Sequence, residues 1–320
     1  MSKNKFNIEP VSDGNWSGRI DSTSDTSQFR LHQVVQQNPE FDLLKKDHVG
    51  LVGFSSDEGV RRNKGRVGAS GGPEYFRKSI GSLCYYGGED GFYDLGTIGV
   101  EGKELESAQD RLSEFIQLLL KKGVHPFVIG GGHETAFGHV AGLLKHLKST
   151  SNESLGILNI DAHLDMRSYE EGAHSGSWAL QAFELAKEMD VKLGYHAFGL
   201  NEDNNTRFLL DQARSLGATW SSNEEVIHSE KEQLDRVREF IESYSHIYCT
   251  VCLDAFDAVN APGVSAPAWN GIALQSALNA INLVKKSGKL LSMDVCELNP
   301  KYDNGNTVRI AGSIFNAYLR

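Results

Sequence analysis

The sequence predicts an α/β protein built on a mostly parallel central sheet. Two observations carry this. Short apolar runs alternate with helix-length amphipathic segments from Val49 to Val295, and clusters of Asp, Glu and His fall where the apolar runs end. Strands separated by helices pair in parallel through right-handed crossovers. Apolar runs without polar alternation suit strands covered on both faces. The 320 residues, 40% of them hydrophobic, suffice for a large core. No linker or internal repeat divides them, so residues 1–320 read as a single domain. Residues 1–45 are polar and weakly periodic and read as an N-terminal arm on its surface.

Taken in order, Val49–Phe54 is a short apolar strand that runs into a loop rich in Ser, Asp, Gly and Arg. Pro73-Glu-Tyr-Phe-Arg opens a helix, because proline is tolerated in a first turn. Leu105–Lys121 places Leu112, Phe115, Ile116 and Leu119 on one helical face. The strand Pro126–Ile129 precedes the helix Glu134–Leu147, and the strand Leu155–Ile160 precedes the helix Trp178–Ala186. Leu193–Gly199 is a strand, Arg207–Leu216 a helix and Glu224–Tyr244 a long charged helix. Ile247–Leu253 is a central strand, Ile272–Lys285 a helix and Leu290–Val295 the last strand.

Composition excludes several functions. There are 42 acidic against 32 basic residues, a net charge of −10, and no basic run or stripe, so nucleic acid is not an expected partner. No apolar signal region follows the N-terminus, and no segment has the apolar length of a membrane span. Cys84, Cys249, Cys252 and Cys296 form no disulfide framework, which fits a reducing cytoplasm. Cys249-Thr-Val-Cys252 lies in a strand-like run, where residues three apart face opposite sides, so a redox or zinc-finger role is not expected.

The motif with the most chemistry is Asp161-Ala162-His163-Leu164-Asp165, at the end of the strand Leu155–Ile160. In extended chain, alternate side chains share a face, so two carboxylates and an imidazole can converge. Hard oxygens with nitrogen suit a divalent ion such as Mn(II), Fe(II) or Zn(II). A turn with solvated aspartates is the ordinary alternative, but other motifs end strands in the same way. Gly130-Gly131-Gly132-His133-Glu134 joins a strand to a helix. It lacks the Lys-Ser/Thr of a phosphate loop and the spacing of a dinucleotide fingerprint. Its glycines therefore read as room to aim His133 into the crevice. Cys252 and Asp254 alternate at the end of a third strand, with Asp257 beyond them. Glu297 follows a fourth strand, in Asp294-Val-Cys-Glu297-Leu-Asn-Pro300. Open parallel sheets bind ligands beyond the carboxyl ends of their strands.

In these ordered motifs, with Asp57-Glu-Gly-Val-Arg-Arg-Asn-Lys-Gly-Arg-Val-Gly-Ala69 and Gly72-Pro73, the chain resembles the ureohydrolase family, which includes arginase, agmatinase and formimidoylglutamase. The resemblance runs from about Val49 onward. It implies a three-layer αβα fold and two Mn(II) ions per chain. Carried over, it makes His133 and Asp165 ligands of one ion, His163 and Asp254 ligands of the other, and Asp161 a bridge. Cys252 stands where the family has a second bridging aspartate. A thiolate there could bind, weaken the site or shift its preference toward Zn(II) or Fe(II). Asp257 is available as an outer acid that orients the loop.

Gly132 and Glu134, with Ala261-Pro-Gly-Val-Ser-Ala-Pro267, resemble the formimidoylglutamase branch. Ala179 stands where arginases carry a proton-shuttling histidine. The resemblance then implies hydrolysis of N-formimidoyl-L-glutamate to L-glutamate and formamide, a step of histidine degradation. Asp165 would move the proton, and Glu297 would hold the cationic nitrogen. Ser175 and Gly176 are candidate substrate contacts, as are Arg66 and Arg167 for its carboxylates. Two other readings stand beside this one: a ureohydrolase acting on a guanidine such as agmatine or guanidinobutyrate, and a metal-poor, non-catalytic homologue. The expected partner is a small-molecule substrate, in a homo-oligomeric protein of the cytoplasm.

Overall fold

Four strand ends meet in one row at the centre of this fold, and the candidate residues leave the sheet from that row. The computed structural model describes residues 3–88, 90–149 and 153–320. Its strands are β1 (Ile8–Glu9), β2 (Val35–Gln37), β3 (Val49–Ser55), β4 (Phe92–Gly99), β5 (His125–Ile129), β6 (Ser154–Ile160), β7 (Lys192–Leu200), β8 (Thr219–Ser222), β9 (His246–Cys252) and β10 (Leu290–Cys296). They form one sheet in the order β1-β4-β3-β5-β10-β9-β6-β7-β8, with β2 also pairing β4. Among the strand pairs of the described residues, only β1–β4 is antiparallel. Ile129 lies beside Val295, Val295 beside Val251, and Val251 beside Ile160. The loops that leave β5, β10, β9 and β6 therefore emerge together.

The helices are α1 (Leu31–Val34), α2 (Glu58–Arg62), α3 (Gly72–Ile80), α4 (Leu105–Lys121), α5 (Thr135–Leu147), α6 (Trp178–Met189), α7 (Arg207–Ser215), α8 (Asn223–Glu242), α9 (Leu274–Lys286) and α10 (Thr307–Leu319). Alternate residues of each central strand feed opposite cores. Phe127, Ile129, Leu158 and Ile160 pack with apolar residues of α3, α8, α9 and α10. Val128, Leu155 and Ile157 pack with those of α4, α5, α6 and α7. The result is the three-layer α/β/α arrangement with a mostly parallel sheet. Because both faces are covered, β5, β6 and β9 read as largely apolar runs.

The predicted strands and helices occur with small shifts of their ends. The predicted long helix 224–244 is α8, and it departs from helical geometry at Ser229 (φ −140°, ψ 40°). Cys249 and Cys252 are both buried and free. Cys249 packs into the core shared with α8 and α9, and Cys252 opens toward the site. No helix among the described residues is long and apolar enough to cross a membrane. Residues 3–45 supply β1 and β2 and bury Phe6, Val11, Trp16 and Leu31.

β4 escaped the sequence pattern because a buried charge sits in it. Asp94 is fully buried and receives the Arg77 guanidinium on both oxygens, at 2.7 and 2.8 Å, with the Trp16 indole at 2.7 Å. Arg77 also donates to Thr97 Oγ1 and Gly96 O. This network ties α3, β4 and the N-terminal segment together. Arg77→Met is expected to lose about 3–5 kcal/mol of stability, because it strands Asp94 as a buried unpaired charge. Urea denaturation checks this, and a loss below about 1 kcal/mol would mean that the pair is solvated or replaceable.

Candidate active site

The Gly130–Glu134 turn delivers His133 from the end of β5. A side chain at Gly131 would lie 1.8 Å from Ser56 O, and one at Gly132 would lie 2.1 Å from Glu134 Oε2. The glycines thus allow the loop after β3 to lie directly against the turn, in line with the expected role of making room. Glu134 holds that contact. Its carboxylate accepts from Ser56 Oγ at 2.6 Å and Gly59 N at 3.0 Å, and its carbonyl from Gln109 at 2.7 Å. Fully buried, the carboxyl is raised above its ordinary pKa by desolvation.

Asp161 to Asp165 does not continue β6 as extended chain. β6 ends at Ile160, and the segment bends, with Asp165 in left-handed backbone at φ 52°. Convergence therefore comes from a turn rather than from strand alternation. The turn is held from outside: Asn205 bonds Leu164 N and Ala162 O at 3.1 and 3.0 Å, and the Tyr195 hydroxyl donates to Leu164 O at 3.0 Å. A non-glycine residue in this region carries strain that local contacts must hold. Here the Trp178 indole donates to Asp165 Oδ2 at 2.8 Å. Glu297 occupies the same backbone region, at φ 72°. Its two oxygens accept from His133 N at 2.9 Å and Ser265 N at 3.2 Å.

Asp161 stands at the centre. Its Oδ2 lies 3.0 Å from His133 Nδ1, and its Oδ1 lies 3.6 Å from His163 Nδ1. His133 Nδ1 is also 2.9 Å from Asp165 Oδ2, and His163 Nδ1 is 3.3 Å from Asp254 Oδ2. Two donor groups result, one of His133, Asp161 and Cys252, the other of Asp161, His163 and Asp254, each within 4.8 Å of one another. Asp161 belongs to both. Asp165 joins the first through its contact with His133, whereas the Asp257 carboxylate accepts from Val259 N in its own loop and lies outside both groups.

The electrostatics ask for added positive charge. Burial opposes protonation of His133 and His163, yet the facing carboxylates outweigh it and hold both imidazoles well above their usual range. Burial acts against ionisation of Asp161 too, but the bonds from His133 and His163 prevail and depress it. Asp254 is raised by burial and by Asp161, and Cys252 far more so by burial and the surrounding carboxylates. Glu297 is pushed up to about 8 by burial and by Asp254. Among the described residues, histidines alone pair with Asp161, Asp165 and Asp254. His133 Nδ1 and Asp254 Oδ1 are buried without a hydrogen bond, despite the close approaches to the former. Nitrogen, carboxylate and thiol donors around unsatisfied buried atoms fit a pair of divalent cations that share Asp161.

A cavity of about 280 Å³ opens above these groups. His133, His163, Asp165, Cys252, Asp254 and Glu297 are on its wall, as is Ser175, whose Oγ is bonded by Asn63 Nδ2 at 3.1 Å. Gly176 lies behind the wall. Its carbonyl accepts from Arg167 N at 2.9 Å, and a side chain on it would meet Asn63 at 2.9 Å. Three cations edge the cavity. Arg66 is already engaged, donating to Val264 O at 2.5 Å and to Pro262 O, and lying 4.1 Å over the Tyr302 ring. Lys64 and Arg167 are exposed and have no ion pair among the described residues. Asn63, Lys64 and Ser265 were not predicted as site residues. Lys64 sits at φ 63° just before Gly65, so the one legible signal was an Asn-Lys-Gly turn.

Known proteins resemble this chain over most of its length. The model of the arginase family matches residues 47–319. A formimidoylglutamase of Clostridium tetani is 38% identical over 313 residues, covering 94% of this chain and 92% of its own. One of Citrobacter koseri is 37% identical over 308 residues, covering 96% of each. Among solved structures, Trypanosoma cruzi formiminoglutamase with Mn2+ superposes with a TM-score of 0.78 at 25% identity, covering 91% of this chain and 97% of that one.

Proposed function

The chain belongs to the arginase family, and on that premise we propose that it hydrolyses N-formimidoyl-L-glutamate to L-glutamate and formamide, with Mn(II) as its metal. The observation that carries the reading is the mixed lining of the cavity, in which the buried Asp254 and Glu297 and the half-buried Asp165 share a wall with the exposed Lys64 and Arg167. A substrate with a cationic amidine at one end and two carboxylates at the other matches both kinds of charge. The similarity to formimidoylglutamases over nearly the whole chain supports the same assignment.

His133, Asp161, Asp165 and Cys252 would hold one ion, and Asp161, His163 and Asp254 the other. When bound, such a pair supplies water activated near neutral pH. The chain's own groups do the rest. Glu297, held by two backbone N–H groups, keeps lone pairs for the formimidoyl nitrogen, and its carboxylate, ionised in the presence of that cation, would fix it by a charge-assisted bond. Asp165, oriented by the Trp178 indole, accepts a proton from the attacking water and returns it to the glutamate nitrogen as the C–N bond breaks. Ser175 and Asn63, with Lys64 and Arg167, face the carboxylate end. Zn(II) or Fe(II) in place of Mn(II) is the variation that Cys252 invites. The four cysteines are free, in keeping with a reducing, cytoplasmic setting.

The test is a substrate panel with Mn(II)-loaded protein. Formimidoylglutamate should yield equimolar glutamate and formamide, and arginine, agmatine and guanidinobutyrate should yield no urea. Urea from any of these guanidines, with no turnover of formimidoylglutamate, would overturn the substrate assignment and leave the family intact. Metal analysis of the same sample should return two ions per chain, and none at any pH would favour a non-catalytic homologue.

A further inference from the structure

Behind His133 lies a buried polar chain that the reaction does not use. The Nε2 of His133 is 3.0 Å from Thr250 Oγ1, and Thr250 Oγ1 donates to Asp294 Oδ1 at 2.5 Å. Asp294 Oδ2 accepts from the Tyr248 hydroxyl and lies 2.7 Å from His139 Nδ1. Asp294, Thr250 and His139 are all fully buried. Asp294 thus faces two hydroxyl donors and a ring nitrogen, besides the Cys296 thiol at 3.7 Å, and a carboxylate has acceptor seats for all of them.

Proton counting then fixes the other end. A threonine hydroxyl carries one hydrogen, and here it is committed to Asp294. Toward His133 the Thr250 oxygen can only accept, so Nε2 must carry the proton. A neutral His133 then has a bare Nδ1, and Nδ1 is the atom that faces Asp161 and Asp165. We propose that Thr250 and Asp294 are a positioning pair that fixes His133 as its Nε2–H tautomer and so keeps Nδ1 free for a cation. A carboxylate acting through a hydroxyl does here what a carboxylate bonded directly to a ligating histidine does elsewhere. Thr250 occupies β9 two residues before Cys252, and Asp294 lies beside it in register on β10, so the sheet itself sets the spacing.

The inference rests on reading the site as a metal centre, but not on the identity of the substrate. Its test compares Thr250→Val and Thr250→Ser with the wild-type protein by Mn(II) titration, with free Mn(II) followed by electron paramagnetic resonance. Thr250→Val should weaken one of the two ions by about 10- to 100-fold, the range for loss of a partner behind a ligand. The ion held by His163 and Asp254 should be little changed, and Thr250→Ser should restore wild-type binding. Equal binding by Thr250→Val, or a serine variant as weak as the valine one, would overturn the proposal, as would a wild-type protein that binds no ion. Uniform weakening of both ions would mark Thr250 as merely structural. Nitrogen-15 spectra of histidine-labelled, Zn(II)-loaded wild-type protein need no variant. His133 should show a protonated Nε2, and the opposite tautomer would overturn the pair's role. Failure of the substrate panel with two ions bound leaves this inference standing.

Discussion

Glu297→Gln is expected to lose about 2–5 kcal/mol in kcat/KM, the range for removing one member of a buried charge-assisted pair, while still binding both metal ions. Its carboxylate is outside both donor groups, so metal content separates a substrate role from a ligand role. The same variant has a stability signature. Burial and Asp254 push the folded-state pKa of Glu297 up to about 8, against about 4.3 for an exposed glutamate. Between these values the folded chain holds a proton that the unfolded chain has released. The contribution of Glu297 to the stability of the metal-free protein therefore falls as pH rises through that window. Glutamine has no such proton. It also offers one acceptor where Glu297 offers two, so it gives up the bond from His133 N or the one from Ser265 N. The expected result is a variant less dependent on pH, compared by urea denaturation after chelation at about pH 5.5 and about pH 8. A variant whose stability changes with pH as much as that of the wild-type protein would show that Glu297 is ionised throughout.

The parts of this molecule that were legible in the sequence are those in which a residue's neighbours along the chain decide its environment. β5, β6 and β9 were readable because both faces are apolar, and α4 because Leu112, Phe115, Ile116 and Leu119 repeat at helical spacing. β4 was not, since its buried Asp94 is neutralised by Arg77, seventeen residues earlier in the chain, and hydrogen-bonded by Trp16. Local polarity argued for a loop, and only tertiary pairing makes a strand of it. β8 is a four-residue edge strand, too short for a period to show. Of the candidate site residues, His133, Asp161, His163, Asp165, Asp254 and Glu297 could be singled out because each ends or follows a strand. How they converge could not. The Asp161–Asp165 turn depends on Asn205 and Tyr195, which are distant in sequence. Thr250 was invisible for a different reason. Within β9 it reads as an ordinary β-branched strand residue, and its meaning comes from Asp294 on the neighbouring strand.

Asp161→Asn should have the widest effect on metal binding, because among the described residues Asp161 alone belongs to both donor groups. Its oxygens are fixed in opposite senses. Oδ1 accepts from His163 N at 2.8 Å and Oδ2 from Asn159 Nδ2 at 3.0 Å. An asparagine has a single acceptor, so its amide hydrogens must face one of these donors and, on the Oδ2 side, the space next to His133. Charge falls by one where both ions would lie, and one coordinating oxygen is lost. His163→Ala, by contrast, removes a ligand from one group only. Metal analysis at limiting Mn(II) should find Asp161→Asn depleted of both ions, with each affinity reduced beyond the roughly 100-fold that loss of an outer partner can cause. His163→Ala should retain close to one ion. Acid should expose the same residue in the metal-free protein. The His133 and His163 contacts depress the Asp161 pKa, so its stabilising effect is present above the ordinary carboxylate range and is lost as pH falls through the lowered value. Asp161→Asn should flatten that acid limb. A variant that keeps both ions at wild-type affinity would remove the shared carboxylate from the centre of the site, and the two donor groups would then have to be read as separate and mononuclear.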